Sequence, residues 1–572
     1  MADGVSLGLG VVSVVLQTYH AVTSAYDVYL AVKDFPTTYR ELRTAFMVER
    51  YRLESWGEKM LSDVQQKRVE QGQDNLALWK LFQAVFDAMW NAFQESSKTL
   101  EDFGHIAGVP GSSDMSDLQL LESMQLSVNS PPKRSVLGLA KTIKFVVRDK
   151  KRMQHLVKDL CYWNDSLNGM ISGLEQASAR RRLRVHFSTG DIDQLQHLRA
   201  AAALLQHRDL EELASARTVI EKGYWKEESL ASQPQATPAA TTPGADFRLE
   251  MSQLDWQGLP FMTDQTRATA TYKGESIIVD WRLCRDDTWR RQNPKAFRQR
   301  TENLTKVLNS DLKTLNVGVL HCVGYLDQSS TVTGYAFKAP PDTIPGQKPT
   351  SLHQLLTNVF KSSDVPDLGD RFELAKALVS TVFEILNLGW LHKNIQPKNV
   401  LFWPKPGTNE LDYGRPYLVG FDISRPNQPG EMSEKPLADP VDDIYRHPLY
   451  RAHTSHAFLP SFDMYSLGII LFEIGMWRNA GHQGQRRGSR PNLETHDSDP
   501  HYIEKVVMTG PVMDLKRHMG AKYRDAVTAC LSKQFDSIWD REREFDSPEA
   551  RLQCFQTEVQ TRVMDVIAMC SA

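Results

Sequence analysis

The sequence has few of the features that would assign it to a class at once. Only six of its 572 residues are cysteines. They lie far apart, with no CxxC pair and no histidine at metal-ligand spacing, so we expect reduced and mostly buried thiols. No continuous apolar run reaches the roughly 18 residues of a membrane-spanning helix. The formal net charge of −3 gives no nucleic-acid signature, so nucleic acid is not an expected partner.

The composition that is present is typical of a soluble globular protein, with 41% hydrophobic and 24% charged residues. A chain of this length predicts several folding units. Residues 226–246 are rich in Pro, Ala, Thr and Ser and have no apolar periodicity. This stretch predicts a flexible linker between a first domain, 1–225, and a second domain, 247–572.

Residues 1–225 carry apolar side chains at helical spacing, which predicts an all-α helical bundle. The first helix is expected from about Val11 to Tyr29, after an arm of small residues at 1–10. Further helices are predicted at about 38–57, 76–103, 135–176 and 191–223, with a loop at 104–133 where Pro and Gly cluster.

Two patterns in the bundle resemble a known family. They are Leu42–Gly57 (L-R-x-x-x-x-x-E-R-Y-R-L-x-x-W-G) and Lys144–Leu167 (K-F-V-V-R-D-K-K-R-M-x-x-L-V-x-D-L-x-x-W-N-D-x-L). Both resemble the HeLo domain, the helical effector domain of the fungal HET-S prion-incompatibility system. The resemblance implies a fungal source and a role in incompatibility or cell-death signalling, in which an apolar N-terminal segment meets a membrane.

The N-terminal segment suits that role because it is neutral and apolar. Its candidate membrane-facing residues are Val5, Leu7, Leu9, Val11, Val12 and Val15. Two interpretations stay open: the segment leaves the bundle for the membrane, or it is a first core helix that never leaves. No secretory signal precedes it, so we expect a cytoplasmic protein that relocates to the membrane.

Two basic runs, at 133–152 and 180–184, favour either solvated helix faces or attraction to anionic lipid. Membrane lipid, protein partners and self-association are therefore the candidate interactions.

The segment from Trp390 to Ser424 carries the most informative pattern of the second domain. Its polar loop reads His-Lys-Asn-Ile-Gln-Pro-Lys-Asn from His392 to Asn399, and Gly-Phe-Asp follows at 420–422. A third motif, Phe-Asp-Met-Tyr-Ser-Leu-Gly from Phe462 to Gly468, opens a helix. The three motifs in this order resemble the catalytic core of a protein kinase. The resemblance implies an α+β bilobal domain with an N-lobe at about 247–345 and a C-lobe at about 346–572.

The frame is kept but its reactive groups are altered. Asn394 stands where a kinase has its catalytic aspartate, and an amide does not accept a proton near neutral pH. Gly420 stands where a carboxylate holds magnesium. Of the metal-binding pair Asn399 remains, and Asp422, two residues after Gly420, is the candidate for the missing oxygen. The kinase residues expected to serve structure are His392, Lys393, Asp463 and Gly468.

The nucleotide-binding part is also altered. Arg282, in Val-Asp-Trp-Arg at 279–282, takes the place of the phosphate-binding lysine, with Glu302 as its candidate partner. Residues 263–272 contain no glycine, so the usual phosphate loop is missing. ATP and magnesium are the cofactors that the resemblance implies, and these substitutions leave their binding open.

Three functions follow. The first is a catalytically impaired kinase-like switch that controls a membrane-active helical effector. The second is an active Ser/Thr protein kinase with atypical motifs. The third is a non-catalytic scaffold.

Overall fold

A computed structural model of the chain describes residues 2–30, 39–67, 76–98, 150–231, 247–258, 267–283, 294–309, 317–329, 332–341, 343–344, 347–359, 361, 364–427, 440–452, 457–482, 501–541 and 544–572. The predicted loop at 104–133 and residues 232–246 of the predicted linker lie outside these ranges. The chain divides into two compact units: Met1–Leu183 with Gln196–Glu211, and Arg184–Leu195 with Glu212–Ala572.

The first unit is helical, as the apolar spacing predicts. The helices that lie in it wholly or in part are α1 (Ala2–Leu30), α2 (Arg40–Lys67), α3 (Leu76–Lys98), α4 (Lys150–Gly169), α5 (Gly173–His186), α6 (Ile192–Leu205) and α7 (Arg208–Ala231). The boundary between the two units falls inside α5, α6 and α7.

Aromatic side chains from α1, α2 and α3 form the centre of the first unit. Tyr26 meets Phe93 edge-on with ring centroids 5.1 Å apart, and Trp56 meets Phe82 in the same way at 4.8 Å. Tyr29 stacks on Phe46 at 5.2 Å. All six are buried. Such pairs add about 0.5–1.5 kcal/mol each to the stabilisation from burial.

Several helix boundaries differ from the predictions. Helix α2 runs to Lys67 instead of about 57, and the helix predicted at 191–223 is divided into α6 and α7. Helix α1 begins at Ala2, so the small-residue arm predicted at 1–10 is helical from its second residue. Extending an established helix fixes one residue for each hydrogen bond gained, which offsets the weak propensity of three glycines. Helix α7 runs to Ala231 and includes residues 226–231 of the predicted linker. These residues, Lys-Glu-Glu-Ser-Leu-Ala, are good helix formers up to the proline at 234.

Among the described residues, the helices of this chain are each too short or too polar to cross a bilayer.

The second unit contains a six-stranded sheet in the order β1-β5-β6-β4-β3-β2. Its strands are β1 (Arg248–Leu249), β2 (Asp255–Trp256), β3 (Arg267–Tyr272), β4 (Glu275–Leu283), β5 (Cys322–Ser329) and β6 (Val332–Lys338). The β1–β5 pair is parallel and the other pairs are antiparallel. Helix α8 (Pro294–Asn309) is tied to β5 because Asn309 Nδ2 donates to the Cys322 carbonyl at 2.7 Å.

The hairpin of β3 and β4 matters for the site described below. Its turn consists of Lys273 and Gly274, both with positive φ (50° and 81°), as two-residue hairpin turns require. This turn fixes a register in which Arg267 lies directly opposite Asp280. The alternating residues of 268–272 and 276–281 therefore lie on two paired strands.

Helices and short strands follow the sheet. They are β7 (Thr350–Ser351), α9 (Leu352–Thr357), α10 (Leu368–Asn387), β8 (Trp390–Leu391), β9 (Val400–Phe402), β10 (Tyr417–Leu418), β11 (Arg425–Pro426), α11 (Pro440–Asp443), α12 (Pro448–Ala452), α13 (Pro460–Met476), α14 (Pro511–Leu531), α15 (Asp536–Asp540), α16 (Pro548–Val559) and α17 (Asp565–Ala568). This unit therefore mixes helices and strands, as predicted for the second domain.

Helix α13 is buried along almost its whole length, from Pro460 to Gly475. At Gly468 it approaches α14 so closely that an added Cβ would lie 2.6 Å from the Cβ of Cys530. Helix α10 also packs by an apolar face, and its buried Glu384 forms an ion pair with Arg184, which belongs to the same unit. Buried α10 and α13 provide the rigid support beneath the loop at 392–399.

Candidate functional site

The loop that follows β8 is held by one buried carboxylate. Asp463, in the first turn of α13, accepts hydrogen bonds from the backbone N–H groups of His392 (2.7 Å) and Lys393 (2.8 Å). Lys393 has a φ of +67°, a conformation that costs a side-chain-bearing residue free energy. The two hydrogen bonds hold the loop in that conformation. Asp463 therefore caps the loop, as the sequence motif predicts.

Burial shifts the titration of all three groups. It raises the pKa of Asp463 to about 7. It lowers the pKa of His392 to about 3, so this imidazole is neutral at physiological pH and packs on Phe421 with ring centroids 4.5 Å apart. Burial and the nearby Arg425 lower the pKa of Lys393 to about 7. These groups contribute to packing and to the geometry of the loop.

The structure brings together four residues that the motifs single out. Asn394 Nδ2 lies 3.2 Å from Asp422 Oδ1 and 3.4 Å from the Gly420 carbonyl. Asn399 Nδ2 donates to the Asn394 carbonyl at 2.8 Å. The amide of Asn394 thus donates to the carboxylate beside it. Its oxygen also accepts from Gln396 Nε2 at 2.5 Å, so the amide is engaged at both ends.

Gly420 could not simply exchange its hydrogen for a carboxylate side chain. Its φ is +86°, in the left-handed region that favours glycine. An added Cβ would lie 2.4 Å from Nδ2 of Asn399, well inside van der Waals contact. The Asn399 amide thus fills the space that a metal-binding side chain at 420 would need.

A salt-bridged arginine occupies the centre of this arrangement. Arg267, the first residue of β3, donates through Nη2 to Asn399 Oδ1 (2.6 Å) and through Nη1 to the Lys398 carbonyl (2.6 Å). Its Nε lies 3.0 Å from Oδ1 of Asp280 in an ion pair. The other oxygen of Asp280 accepts from the backbone N–H of Gly420 at 2.9 Å. One guanidinium and one carboxylate therefore join the six-stranded sheet to the loop.

The neighbouring charges act on the titration of Asp280. Burial raises the pKa of Asp280, Arg267 lowers it, and the negative charge of Asp422 raises it. Asp422 lies beside the site, where its Oδ1 is hydrogen-bonded to Asn394.

The residues present do not fit a magnesium–nucleotide complex. The oxygen of Asn399 is engaged by Arg267, and both oxygens of Asp280 are engaged by Arg267 and by Gly420. The positive charge that a metal ion would bring is already supplied by the guanidinium. The predicted oxygen donor Asp422 is hydrogen-bonded to Asn394 instead of standing open.

The predicted pair of Arg282 and Glu302 stays a prediction. Arg282 is buried on β4, with its guanidinium 5.5 Å from the ring centroid of Phe297. Glu302 on α8 accepts from the Tyr325 hydroxyl at 3.5 Å and lies 3.9 Å from Nε of Arg298.

The motifs single out neither Arg267 nor Asp280. Asp280 lies inside the tetrapeptide at 279–282, but in that motif it is Arg282 that takes the place of the phosphate-binding lysine. A signal was available: the Lys-Gly turn at 273–274 pairs residue 272 with 275, and counting back along both strands pairs Arg267 with Asp280. Opposite charges facing each other across a hairpin indicate a cross-strand pair.

The candidate membrane segment lies within α1. The side chains of Val5, Leu7, Leu9, Val11 and Val12 are outside the described residues, although their backbone is helical. Val15, the last of the set, is fully buried. The segment is thus joined without a break to a helix whose later turns form the core of the first unit.

Comparison with known families separates the two halves of the chain. A family model described as prion-inhibition and propagation, HeLo, matches residues 6–200. A second family model, described as a domain of unknown function (DUF7580), matches residues 287–567. No characterised protein matches the chain as a relative. The HeLo resemblance of the helical region is confirmed, while the second match names a family without an assigned activity.

Proposed function

We propose that the second unit is a catalytically impaired, kinase-like switch that controls a membrane-active HeLo-type effector in fungal incompatibility or cell-death signalling. The match to HeLo supports the signalling class for the helical region. The observation that carries the switch is the arrangement around Arg267, in which a guanidinium takes up the oxygens that a phosphotransfer site would offer to metal and nucleotide.

The chemistry follows from named atoms. Phosphotransfer needs a carboxylate to orient and deprotonate the acceptor hydroxyl, and the amide of Asn394 supplies no such base. It also needs a metal ligand at the position of Gly420, which has neither a side chain nor room for one. The residues that hold the loop at 392–399 are present: Asp463 holds the loop, and buried helices hold Asp463. A loop that is held rigidly but has neither a catalytic base nor a metal ligand suits a switch that responds to a binding partner or a modification.

Phosphotransfer by the purified full chain tests the impaired site. With radiolabelled ATP, Mg²⁺ and a generic protein substrate, we expect labelling at background. Asn394→Asp should stay at background too, because Gly420 still provides no metal ligand. Robust labelling that is lost in Asn399→Ala would instead establish the active-kinase alternative.

Nucleotide binding is a separate measurement. Thermal unfolding of the full chain with ATP, with and without Mg²⁺, should show no stabilisation. A ligand that binds the native state at 100 times its Kd would stabilise it by about 2.7 kcal/mol, which a thermal shift detects readily.

The effector half is tested on vesicles and in cells. Full chain added to dye-loaded vesicles that contain phosphatidylserine should release dye, and Val12→Glu should abolish release because a charge in the apolar segment opposes insertion. Val12→Ile, which keeps the apolar character, is the matched control. The scaffold alternative predicts that deleting residues 1–16 leaves any growth inhibition in a fungal host unchanged, whereas our proposal predicts its loss.

A further inference from the structure

Three side chains that metals commonly bind meet in the first unit, although they are far apart in sequence. Glu49 comes from α2, Cys161 from α4 and His207 from the turn between α6 and α7. Their ligand atoms all lie within 4.8 Å of one another. His207 Nε2 is 3.0 Å from Glu49 Oε1 and 4.0 Å from Cys161 Sγ. Glu49 and Cys161 are buried and His207 is half-buried, so the group is enclosed with one accessible side.

We propose that Glu49, Cys161 and His207 form a binding site for a zinc ion. Thiolate, imidazole and carboxylate are the donors that zinc takes in proteins, with bonds of about 2.0–2.3 Å. Ligand atoms in a tetrahedral zinc site therefore lie between 3 and 4 Å apart, close to the separations measured here. The hard ions Mg²⁺ and Ca²⁺ prefer oxygen ligands and do not suit a thiol.

The position that the ion would take is held in this structure by Arg52. Its Nη1 lies 2.9 Å from Glu49 Oε2, 3.0 Å from His207 Nε2 and 3.7 Å from Cys161 Sγ. A cation is thus already the common partner of all three ligands. The donors are arranged around a positive charge before any metal arrives.

Arg52 does not satisfy the three ligands equally well. His207 Nε2 is 3.0 Å from Nη1 of Arg52, which only donates, and 3.0 Å from the Glu49 carboxylate, which only accepts. One ring nitrogen cannot accept from the first and donate to the second at the same time. A metal ion in place of Nη1 resolves this conflict, since imidazole and carboxylate would both direct lone pairs at it.

When the ion binds, the thiol proton of Cys161 leaves to solvent, so Zn²⁺ and the thiolate together bring a net charge of +1 to the place that Nη1 of Arg52 occupies. The charge of Arg52 itself stays in the protein. Arg52 keeps a partner when Nη1 withdraws, because its Nη2 is already paired with Asp165 at the exposed rim. Asp165 Oδ2 also lies 4.0 Å from Cys161 Sγ, so this carboxylate or a water molecule is placed to complete a tetrahedron.

Cobalt(II) provides a direct spectroscopic test on the full chain. After dialysis against a chelator, Co²⁺ titration should give the near-ultraviolet thiolate-to-cobalt charge-transfer band and the intense visible bands of a tetrahedral ion. Zn²⁺ should displace the cobalt and remove both. Cys161→Ser should abolish the charge-transfer band, while Cys554→Ser, which changes a half-buried thiol elsewhere, should leave it unchanged. Far-ultraviolet circular dichroism of each variant confirms that it is folded.

A second variant separates a metal site from a purely structural arginine. Arg52→Gln removes the competing cation, so we expect it to unfold at lower temperature and to regain stability with Zn²⁺. Its affinity for Zn²⁺ should exceed that of the wild type. In the same background His207→Gln should weaken Zn²⁺ by more than the roughly 10–100-fold that losing a mere outer-shell partner costs.

The proposal is overturned if neither the wild type nor Arg52→Gln yields a tetrahedral cobalt spectrum, or if the charge-transfer band persists in Cys161→Ser. None of these readouts depends on phosphotransfer or membrane activity, so they stand independently of the proposed function.

Discussion

Two arginines, one in each unit, stand at the centre of a cluster of potential ligands, and they differ in what surrounds them; the side chain of Arg52 is buried and that of Arg267 is half-buried. Arg52 lies among a carboxylate, a thiol and an imidazole, all donors that a transition metal accepts. Arg267 lies among a carboxylate, an amide oxygen and a backbone carbonyl. At the first, a metal ion could replace the arginine with a gain in donor satisfaction. At the second, the arginine already satisfies every oxygen that it meets.

The difference shows what prevents a cluster of potential ligands from binding a metal ion. Around Arg267 the neighbouring backbone is shaped to match: the Gly420 N–H donates to the same Asp280 that pairs with the arginine. Around Arg52 one nitrogen of His207 is left between a donor and an acceptor. A cluster whose oxygens are all paired holds the structure together, whereas a cluster in which one nitrogen lies between a donor and an acceptor can still bind a metal ion.

The largest expected effect breaks the first cluster. Glu49 is fully buried and pairs with Arg52, so Glu49→Gln removes the buried partner charge of the guanidinium, leaves it only the exposed Asp165, and should destabilise the first unit by about 3–5 kcal/mol. Hydrogen exchange of peptides from α2 and α4 measures it. The matched control is Glu54→Gln, whose pair with Arg50 is partly exposed and is worth less than about 1 kcal/mol. Equal destabilisation by the two substitutions would show that the buried Glu49–Arg52 pair is no more important for stability than the exposed Glu54–Arg50 pair.

The corresponding change in the second cluster is Arg267→Met. It leaves Asp280 and Asn399 without their buried partner, and we expect a loss of about 3 kcal/mol, seen as faster exchange in β3 and in the loop at 392–399. Arg248→Met, which breaks a half-exposed pair with Asp327 at 3.6 Å, should cost less than about 1 kcal/mol. Phosphotransfer should stay at background in Arg267→Met. If phosphotransfer activity appeared in this variant, Arg267 alone would be what prevents phosphotransfer in the wild type.

A change of pH affects the second unit in particular, because its loop at 392–399 contains a histidine that is buried in its neutral form. The folded-state pKa of His392 is about 3, below its ordinary value of 6.5. Between these pH values the unfolded chain binds a proton that the folded chain does not, so stability falls as pH falls from 6.5 to 3. The stability difference between wild type and His392→Gln should therefore change by about 1.4 kcal/mol per pH unit in this window. Thermal unfolding from pH 4 to 7 measures it, and parallel curves would contradict it.

The smallest effect tests the turn that places Arg267. Gly274 has a φ of +81° with open space around it, so Gly274→Ala introduces backbone strain without a clash and should cost about 1 kcal/mol. Gly173, at the start of α5, also has open space but lies outside the left-handed region. Gly173→Ala should be neutral or slightly stabilising, by about 0.5 kcal/mol. Equal unfolding midpoints for the two variants would show that the turn conformation does not matter.

The sequence predicts well what is local in the chain. Apolar spacing predicts the helical first unit, and the order of the motifs predicts a second domain with both helices and strands. In the structure Asn394, Asn399 and Gly420 lie together and Asp463 holds their loop. The spacing of residues along the sequence does not predict contacts between residues that are far apart in the chain. Glu49, Cys161 and His207 are separated by 112 and 46 residues, so only packing of α2, α4 and the α6–α7 turn brings them together. No histidine lies at metal-ligand spacing from Cys161 in the sequence, yet His207 Nε2 lies 4.0 Å from its Sγ in space.

The contact between Gly420 and Asn399 also limits what a single substitution at this position can do. A side chain at 420 would be blocked until the Asn399 amide moved, and that amide would have to give up its hydrogen bond from Arg267. A substitution at 420 alone therefore places no metal ligand in this loop, and it leaves the protein less stable than it is with glycine.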